Sequence, residues 1–398
     1  MNPDKNPYAP GAGMPPPELA GRDEMLESAK VAIRRTKSPK LSARSFIYVG
    51  LRGVGKTVLL NEIQHYAESQ DALTDFIEVS KSTPLSQTLV ATLRAALLKL
   101  DRLKGVSEKV KRGLRVLKSF VSALKVTYQE LDVSLDLDGE PGVADSGNLT
   151  RDLPELFVAV GEAAQSRGTS VVILIDEIQN LPKIEFEALI MAVHRVNQER
   201  LPILVVGAGL PLLVRLTGEA KSYAERLFEY PEIGALDDAE VRRAIVEPAQ
   251  AEGVVIEDDA VSQIIKVSGG YPYFIQEWGY QTWNTTPKSP ITKADVERAS
   301  QEAIARLDKN FFRSRYDRLT DAQKLYLRAM AELGDGPEAS GAIAKLQGKT
   351  SQQLGMVREA LIQSAMIYSP KYGFTAFTVP LFGDFMRRTM PRFAPEQI

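Results

Sequence analysis

Two groups of residues in this 398-residue chain have the types and spacing that chemistry on phosphate requires. The first is the segment GLRGVGKT at 50–57, which follows the apolar run SFIYVG and precedes VLLNEIQHYAES, where apolar residues recur at helical spacing. A glycine-rich turn between a strand and a helix lets successive backbone N–H groups point inward, and the helix N-terminus adds a positive dipole. The segment therefore predicts a loop that binds the phosphates of a nucleoside triphosphate.

Each fixed position of this loop has a chemical role. The glycines let the backbone curl, the Lys56 ammonium would contact the β- and γ-phosphates, and the Thr57 hydroxyl would bind magnesium. Arg52 is expected to face solvent. The predicted nucleotide-binding residues are those of the loop and the residue after it: Gly50, Leu51, Arg52, Gly53, Val54, Gly55, Lys56, Thr57 and Val58.

The second group is the acidic pair Asp176 and Glu177, which ends the apolar run VVILI. An Asp at the carboxyl end of a central strand, beside a phosphate loop, can hold magnesium together with Thr57. The Glu that follows is placed to orient or deprotonate the attacking water, so Glu177 is the predicted catalytic base, acting with Lys56. Both carboxylates together predict hydrolysis of the triphosphate rather than binding alone.

Composition excludes several other kinds of site. The formal net charge of −2 excludes a globally basic nucleic-acid binder but permits local basic patches. With no cysteine and two histidines, the chain has no disulfide framework and no thiolate or histidine-rich metal site. No apolar run approaches the roughly 20 residues that span a bilayer, and the N-terminus lacks the pattern of a signal peptide. We therefore expect a cytoplasmic protein without a membrane segment.

The distribution of apolar runs predicts an α/β fold with a doubly wound, mainly parallel sheet, because buried strands alternate with helical segments. The expected domains are an extended arm at 1–17, which is not expected to pack as an element, a core at 18–233 with a helical and acidic insertion at about 104–150, an α-helical lid and connector at 234–310, and a winged helix-turn-helix at 311–398. Within the insertion, alternating residues at 131–138 predict a half-exposed strand. In the last domain, three helices precede YGFTAFTV, which is predicted to form a strand pair around Gly373, and a terminal helix.

The chain resembles the AAA+ ATPases of the origin-recognition and archaeal-ATPase branch, which borders the STAND signalling ATPases. LAGRDEM is similar to the family's segment near the adenine pocket, GLRGVGKT to the Walker A loop, ILIDEIQN to the Walker B strand and SGGYPYFIQ to a turn of the lid. The resemblance implies a P-loop NTPase core, a helical lid, a C-terminal winged helix, and ATP with Mg²⁺ bound where core and lid meet. It also implies that Gly21, Arg22 and Pro272 belong to the nucleotide site.

Two positions depart from the family pattern. The fourth core strand ends in Gly207, Ala208 and Gly209 where the family usually has a polar sensor, and the lid has Tyr273 where many members have an arginine. These departures favour slow turnover and a switch. Arg226 lies where the family often places an arginine finger, which would complete the site of a neighbouring subunit in a nucleotide-dependent homo-oligomer. The alternative for Arg226 is a surface salt bridge with Glu225 or Glu229.

Two target classes remain open at this point. The stretch from 99 to 125 carries nine Lys or Arg against two acidic residues, and residues 313–398 carry twelve against eight. The cations of the winged helix that could reach DNA phosphates are Lys345, Lys349, Lys371, Arg358, Arg387, Arg388 and Arg392. On the predicted recognition helix, the side chains that could contact bases are Gln352, Gln353 and Arg358. The basic helix at 104–125 is either a second surface for DNA or an acidic partner, or a solvated face that balances the acidic segment after it, which we favour. The first hypothesis is an ATPase acting on DNA through its winged helix; the alternative is a STAND-like switch ATPase whose winged helix binds a protein.

Overall fold

The computed structural model describes residues 1–11, 13–38, 41, 43–80, 82–102, 107–124, 138–221 and 224–393. The strand predicted at 131–138 lies almost wholly outside these residues. By its internal contacts the chain divides into two units: a sheet unit of Arg22–Gly50 and Lys56–Ile233, and a helical unit of Met1–Gly21, Leu51–Gly55 and Gly234–Ile398. In the described residues, no helix has the length and apolar character needed to cross a membrane.

The sheet unit is built on parallel strands in the order β2-β3-β4-β1-β5, with β6 also pairing with β1. The strands are β1 (Ser45–Gly50), β2 (Leu73–Glu78), β3 (Val171–Asp176), β4 (Ile203–Gly209), β5 (Phe228–Glu229) and β6 (Glu232–Ile233). The helices are α1 (Asp23–Thr36), α2 (Lys56–Ser69), α3 (Leu85–Asp101), α4 (Glu108–Leu124), α5 (Leu149–Ser166), α6 (Lys183–Gln198), α7 (Leu212–Ala220) and α8 (Ala224–Leu227). The mainly parallel α/β fold expected from the sequence is confirmed.

Burial explains the apolar composition of the central strands. Every residue of β1, β3 and β4 is buried, whereas β2, at the edge, buries only Ile77. Alternate residues such as Ile47, Ile173 and Val205 share one core with helices α3 to α6, and α2 packs against the sheet as well. Helices therefore cover the sheet on both sides, and this leaves the ends of its strands as the places where polar chemistry can occur.

The helical unit contains α9 (Asp238–Ala251), α10 (Asp258–Ser268), α11 (Pro272–Thr285), α12 (Lys293–Arg306), a π-helical segment at Leu307–Phe312 and α13 (Arg313–Tyr316). Asp237 caps α9 through a reciprocal pair of bonds with Glu240. In its described residues, the arm at 1–17 contains only a three-residue 3₁₀ turn, Pro3–Lys5, but the expectation that it is not packed is wrong. Tyr8 is 3% exposed and its hydroxyl donates to Ile245 O at 2.5 Å, so an aromatic anchor fixes the arm to α9.

The C-terminal part of this unit contains α14 (Asp321–Leu333), β7 (Glu338–Ala339), α15 (Ser340–Leu346), α16 (Gly355–Gln363), β8 (Ile367–Tyr368), β9 (Phe374–Phe377) and α17 (Phe382–Thr389). The strands form an antiparallel sheet in the order β7-β9-β8. The predicted strand pair is shifted: the first strand precedes Lys371, and Gly373 supplies the turn at φ 78°. The predicted recognition helix is also shorter than expected, because Gln352 and Gln353 precede α16 and Gln353 accepts from Thr350 N–H at 2.8 Å.

Candidate nucleotide site

The glycine loop occupies Leu51–Gly55, between the last residue of β1 and the first residue of α2. Gly53 and Gly55 have φ of 80° and 90°, in the left-handed region that only glycine adopts without strain. Val54 is 1% exposed, so its side chain is buried, and Leu51 and Arg52 are half-buried. The path of the chain thus requires glycine at 53 and 55, as the sequence indicated, whereas Gly50 is the last residue of β1 and has no positive φ.

Lys56 and Thr57, the first two residues of α2, carry the polar groups of the loop. Lys56 is 7% exposed, and its Nζ donates to Gly50 O at 3.0 Å. The Thr57 hydroxyl donates to Asp176 Oδ2 at 2.5 Å, which joins residues 119 positions apart. Val58 follows as a half-buried helical residue. The fold therefore brings together, at the carboxyl ends of β1 and β3, the hydroxyl and the carboxylate that the sequence assigned to magnesium.

Asp176 is 3% exposed and has an unusual electrostatic environment for an acid. Burial raises its pKa, while the Thr57 hydroxyl, the Glu177 N–H at 2.8 Å and the Lys56 charge act in the opposite direction. The ionised carboxylate is therefore incompletely compensated by the protein. A hard cation with oxygen ligands would compensate it, and Thr57 and Asp176 supply two such oxygens.

Glu177 has φ 55° and ψ 35°, a left-handed conformation that reverses the chain into a 3₁₀ turn at Ile178–Asn180. This reversal brings Gln179 back beside it, and Gln179 Nε2 donates to Glu177 Oε2. The Gln179 carbonyl accepts in turn from Leu210 N–H at 3.0 Å, just beyond β4. The sequence motifs assign no role to Gln179; its spacing after the acidic pair and the glycines of β4 are the signals that point to it.

Arg226 lies in α8, exposed, in a groove of about 930 Å³ that Glu24, Arg44 and Glu229 also line. In the described residues, no hydrogen bond or ion pair involves Arg226, so the alternative of a salt bridge with Glu225 or Glu229 is wrong. Phe228 pairs with Ser45, at the amino end of β1, whereas the phosphate loop follows the carboxyl end. A six-residue strand spans about 20 Å, so within the sheet unit Arg226 is remote from the carboxyl end of β1.

The residues implied only by resemblance fall in both units. Arg22 is 5% exposed and precedes α1 in the sheet unit. Gly21, at φ 68°, and Pro272, the first residue of α11, belong to the helical unit. In that unit Tyr273 N–H donates to Gly53 O at 3.2 Å, so the residue found in place of a lid arginine contacts the phosphate loop through its backbone. The roles of Gly21, Arg22 and Pro272 toward a nucleotide stay predictions.

Comparison with known proteins places these features in a family. Residues 18–206 match the AAA ATPase domain, and residues 309–386 match a domain of unknown function, DUF8462. No curated protein sequence matches the chain. A Walker-type ATPase of Pyrococcus abyssi has a similar structure over 93% of this chain and 96% of its own, with a TM-score of 0.55 and 14% identity.

Two further solved structures align over most of their length. The Aeropyrum pernix ORC1 protein in complex with DNA covers 94% of both chains at a TM-score of 0.44 and 15% identity. The Thermotoga maritima RuvB Holliday junction branch migration motor covers 90% of this chain and 92% of its own, at 0.45 and 17%. The AAA match contains both the phosphate loop and the acidic pair, and the fold is that of a P-loop NTPase with a helical C-terminal region. The chain is therefore a P-loop ATPase whose residues 18–206 match the AAA ATPase domain family.

Proposed function

We propose that this chain is an ATP-dependent switch that binds ATP with Mg²⁺, hydrolyses it slowly and transmits the nucleotide state to its C-terminal region. The observation that carries the proposal is the bond from the Thr57 hydroxyl to Asp176, with the Glu177 carboxylate on the next residue. In this arrangement Lys56 binds phosphate, Thr57 and Asp176 hold the metal, and Glu177 takes the proton of the attacking water. Bound Mg²⁺ would supply charge neutralisation on the phosphate oxygens.

A chain of contacts within the helical unit supports transmission from the loop to the C-terminal region. Tyr273, whose N–H donates to Gly53 O, stacks on Phe311 with ring centroids 4.8 Å apart. Phe311 contacts Phe312 at 5.3 Å, and Phe312 contacts Phe385 of α17 at 5.3 Å. Phe312 and Phe385 are 1% and 2% exposed, so these rings are closely packed. A displacement of one ring therefore requires its neighbours to move. A change in the loop therefore has a direct mechanical route to α17.

The charges of the C-terminal region favour a protein over DNA as the target. Three of its predicted phosphate-binding cations are engaged internally: Arg358 donates to Thr375 and Ser369, Arg387 to Asp335 and Asp384, and Arg388 to Asp308. Met356 and Tyr372, by contrast, are 88% and 102% exposed. Methionine and tyrosine are enriched in protein interfaces, so a winged helix in this region would serve as a docking module.

The basic helix α4 is balanced in the same way. Lys109 and Arg112 pair with Glu162 at 2.9 and 2.7 Å, and Arg112 also pairs with Glu140 at 2.9 Å. Glu140 lies in the acidic segment that follows the helix in sequence. These pairs support the interpretation of α4 as a solvated face rather than a surface for DNA.

Steady-state turnover tests the enzymatic part of the proposal. Wild type should release phosphate only with Mg²⁺, Glu177→Gln should bind ATP with unchanged affinity but release phosphate at least about a hundredfold more slowly, and Lys56→Ala should lose affinity. Hydrogen exchange at 307–312 and 382–389 should differ between the ATP-bound Glu177→Gln protein and the ADP-bound wild type. Equal phosphate release by wild type and Glu177→Gln would contradict the assignment of Glu177 as the base. Identical hydrogen exchange in the ATP-bound and ADP-bound proteins would contradict the proposed switch.

DNA remains the second candidate target, because four of the predicted cations, Lys345, Lys349, Lys371 and Arg392, are exposed. Four phosphate contacts would give a slope of about −3.6 for log affinity against log salt on duplex DNA. Replacing Lys345 and Lys349 by Gln should reduce that slope by about 2, whereas Arg358→Gln should leave it unchanged. An absence of binding at low salt would exclude this target and leave the protein partner.

Arg226 supports assembly as a further part of the proposal. Since Arg226 is exposed, without a described partner, and remote from the carboxyl end of β1, it suits a role in the site of a neighbouring copy. Size measurements with a slowly hydrolysed ATP analogue should show assembly of the wild type. Arg226→Ala should then lower turnover per chain, and a wild type that stays monomeric with the analogue and hydrolyses ATP would contradict the assignment.

A further inference from the structure

The carboxyl end of β4 adjoins the acidic pair but has no polar side chain of its own. β4 lies beside β3, with Gly207 opposite Ile175, and the strand ends in Gly207, Ala208 and Gly209. A catalytic carboxylate next to three such residues has nothing on that strand to orient it. The residues of β4 therefore do not indicate which group holds the Glu177 side chain in place.

The side chain of Gln179 supplies that support. Its carbonyl accepts from Leu210 N–H at 3.0 Å, and its NH₂ group donates to Glu177 Oε2. The two partners fix the orientation of the amide, because a flipped amide would set oxygen against the carboxylate and NH₂ against the N–H. One short side chain thus connects the carboxylate of Glu177 to the backbone at the end of β4.

The glycines of β4 are what make room for this connection. A Cβ at Gly209 would lie 2.4 Å from Gln179 Oε1, and a Cβ at Gly207 would lie 2.2 Å from Ile178 Cδ1. Residues 178 and 179 therefore occupy the space that side chains of β4 would otherwise fill. The glycines that leave β4 without a polar side chain are therefore the same residues that allow Gln179 to reach the end of the strand.

We propose that Gln179 is a positioning residue of the ATPase reaction, which holds the Glu177 carboxylate in place from the turn after β3 and replaces a polar side chain on β4. This inference rests on the proposed role of Glu177. The bond uses Oε2 and leaves Oε1 to accept a proton from water. Because Gln179 contacts neither the loop nor Asp176 through the bonds described, its loss should affect the chemical step and leave nucleotide binding intact.

The test compares Gln179→Leu, which keeps the size of the side chain, with Gln179→Glu, which keeps an acceptor for Leu210 N–H but removes the donor to Glu177. Both should lower kcat by about tenfold or more, which is part of the roughly 10²–10⁴-fold rate increase that a positioned base contributes. The KM and the directly measured ATP affinity should stay within about twofold of wild type. Asn180→Ala is the matched control: Asn180 Nδ2 donates to Val79 O at 3.1 Å, so this variant weakens the same turn without touching Glu177. Its kcat should stay near that of wild type.

Each outcome decides the assignment. A kcat for Gln179→Glu or Gln179→Leu equal to or above that of wild type would overturn it, and so would an equal loss in Asn180→Ala, which would indicate a general effect of the turn. A loss of ATP affinity that matches the loss of kcat would also overturn it. If the proposed function itself is wrong, wild type and Glu177→Gln would hydrolyse ATP at equal rates, and this result is distinct from any outcome at Gln179.

Discussion

Replacing Thr57 by Val removes one hydroxyl while preserving the shape of the side chain, so it tests the contact between the two metal-binding oxygens. In the wild type this hydroxyl donates to Asp176 Oδ2 at 2.5 Å. Asp176 is 3% exposed, so water has little access to replace the lost donor. A hydrogen bond to a charged group contributes about 1.5–3 kcal/mol, which is the expected loss of unfolding free energy without nucleotide.

For a unit of about two hundred residues, this loss corresponds to a melting temperature lower by about 3–12 °C. The loss depends on pH. Burial raises the pKa of Asp176 and the Thr57 hydroxyl opposes that rise, so Thr57→Val should raise this pKa further. A raised pKa of an acid in the folded state destabilises the protein above that pKa, so the difference between the two proteins is full at neutral pH and shrinks toward about pH 4.

Thermal melting at pH 7 and pH 4, and ATP titrations with and without Mg²⁺, measure both consequences. Thr57→Ser is the control, because it keeps the hydroxyl and loses only a methyl group. Thr57→Val should lose the Mg²⁺-dependent part of ATP affinity, whereas Thr57→Ser should retain it. Equal melting temperatures at pH 7 and equal Mg²⁺ dependence in the two variants would refute the reasoning.

Three further predictions, made with four substitutions, test the acidic pair, the loop and the arm. Asp176→Asn should raise the melting temperature of the nucleotide-free protein, since it removes a buried charge, and should abolish Mg²⁺-dependent turnover; a lower melting temperature would contradict the raised pKa. Gly53→Ala and Gly168→Ala each place a methyl group at a positive φ, of 80° and 66°, at a cost of about 1–2 kcal/mol, but only Gly53→Ala should weaken ATP binding in a titration. Tyr8→Phe removes the buried bond to Ile245 O and should cost about 1 kcal/mol, detectable as faster proteolysis of the arm; unchanged cleavage would show that the ring alone anchors it.

The strands and the class of the protein could be predicted because their signals are local. β1, β3 and β4 are buried on both faces, so each reads as a continuous apolar run, and the strand, glycine loop and helix of the phosphate loop are consecutive in the chain. The α/β fold and the ATPase class were confirmed on that basis. The helices of the C-terminal region were found as well, but its strands have two to four residues, too short for periodicity to locate them.

Contacts between distant residues were not readable in the same way. The sequence predicts that Arg358, Arg387 and Arg388 can reach DNA, since it shows a charge but not the hydroxyl or carboxylate that pairs with it in the fold. The neighbours of Tyr8 in sequence include Pro, Gly and Asn, which predict an unpacked arm, whereas its partner Ile245 lies 237 residues away.

The amino-acid sequence by itself determined the loop, the acidic pair and the parallel sheet, because each depends on residues that are neighbours in the chain or on burial that repeats along a strand. The tertiary structure decided which groups meet: the Thr57 hydroxyl with Asp176, and Gln179 with both Glu177 and the end of β4. The physical reason is that hydrogen bonds and burial depend on distances within a few ångströms, and only the folded chain brings positions 57 and 176 within that range.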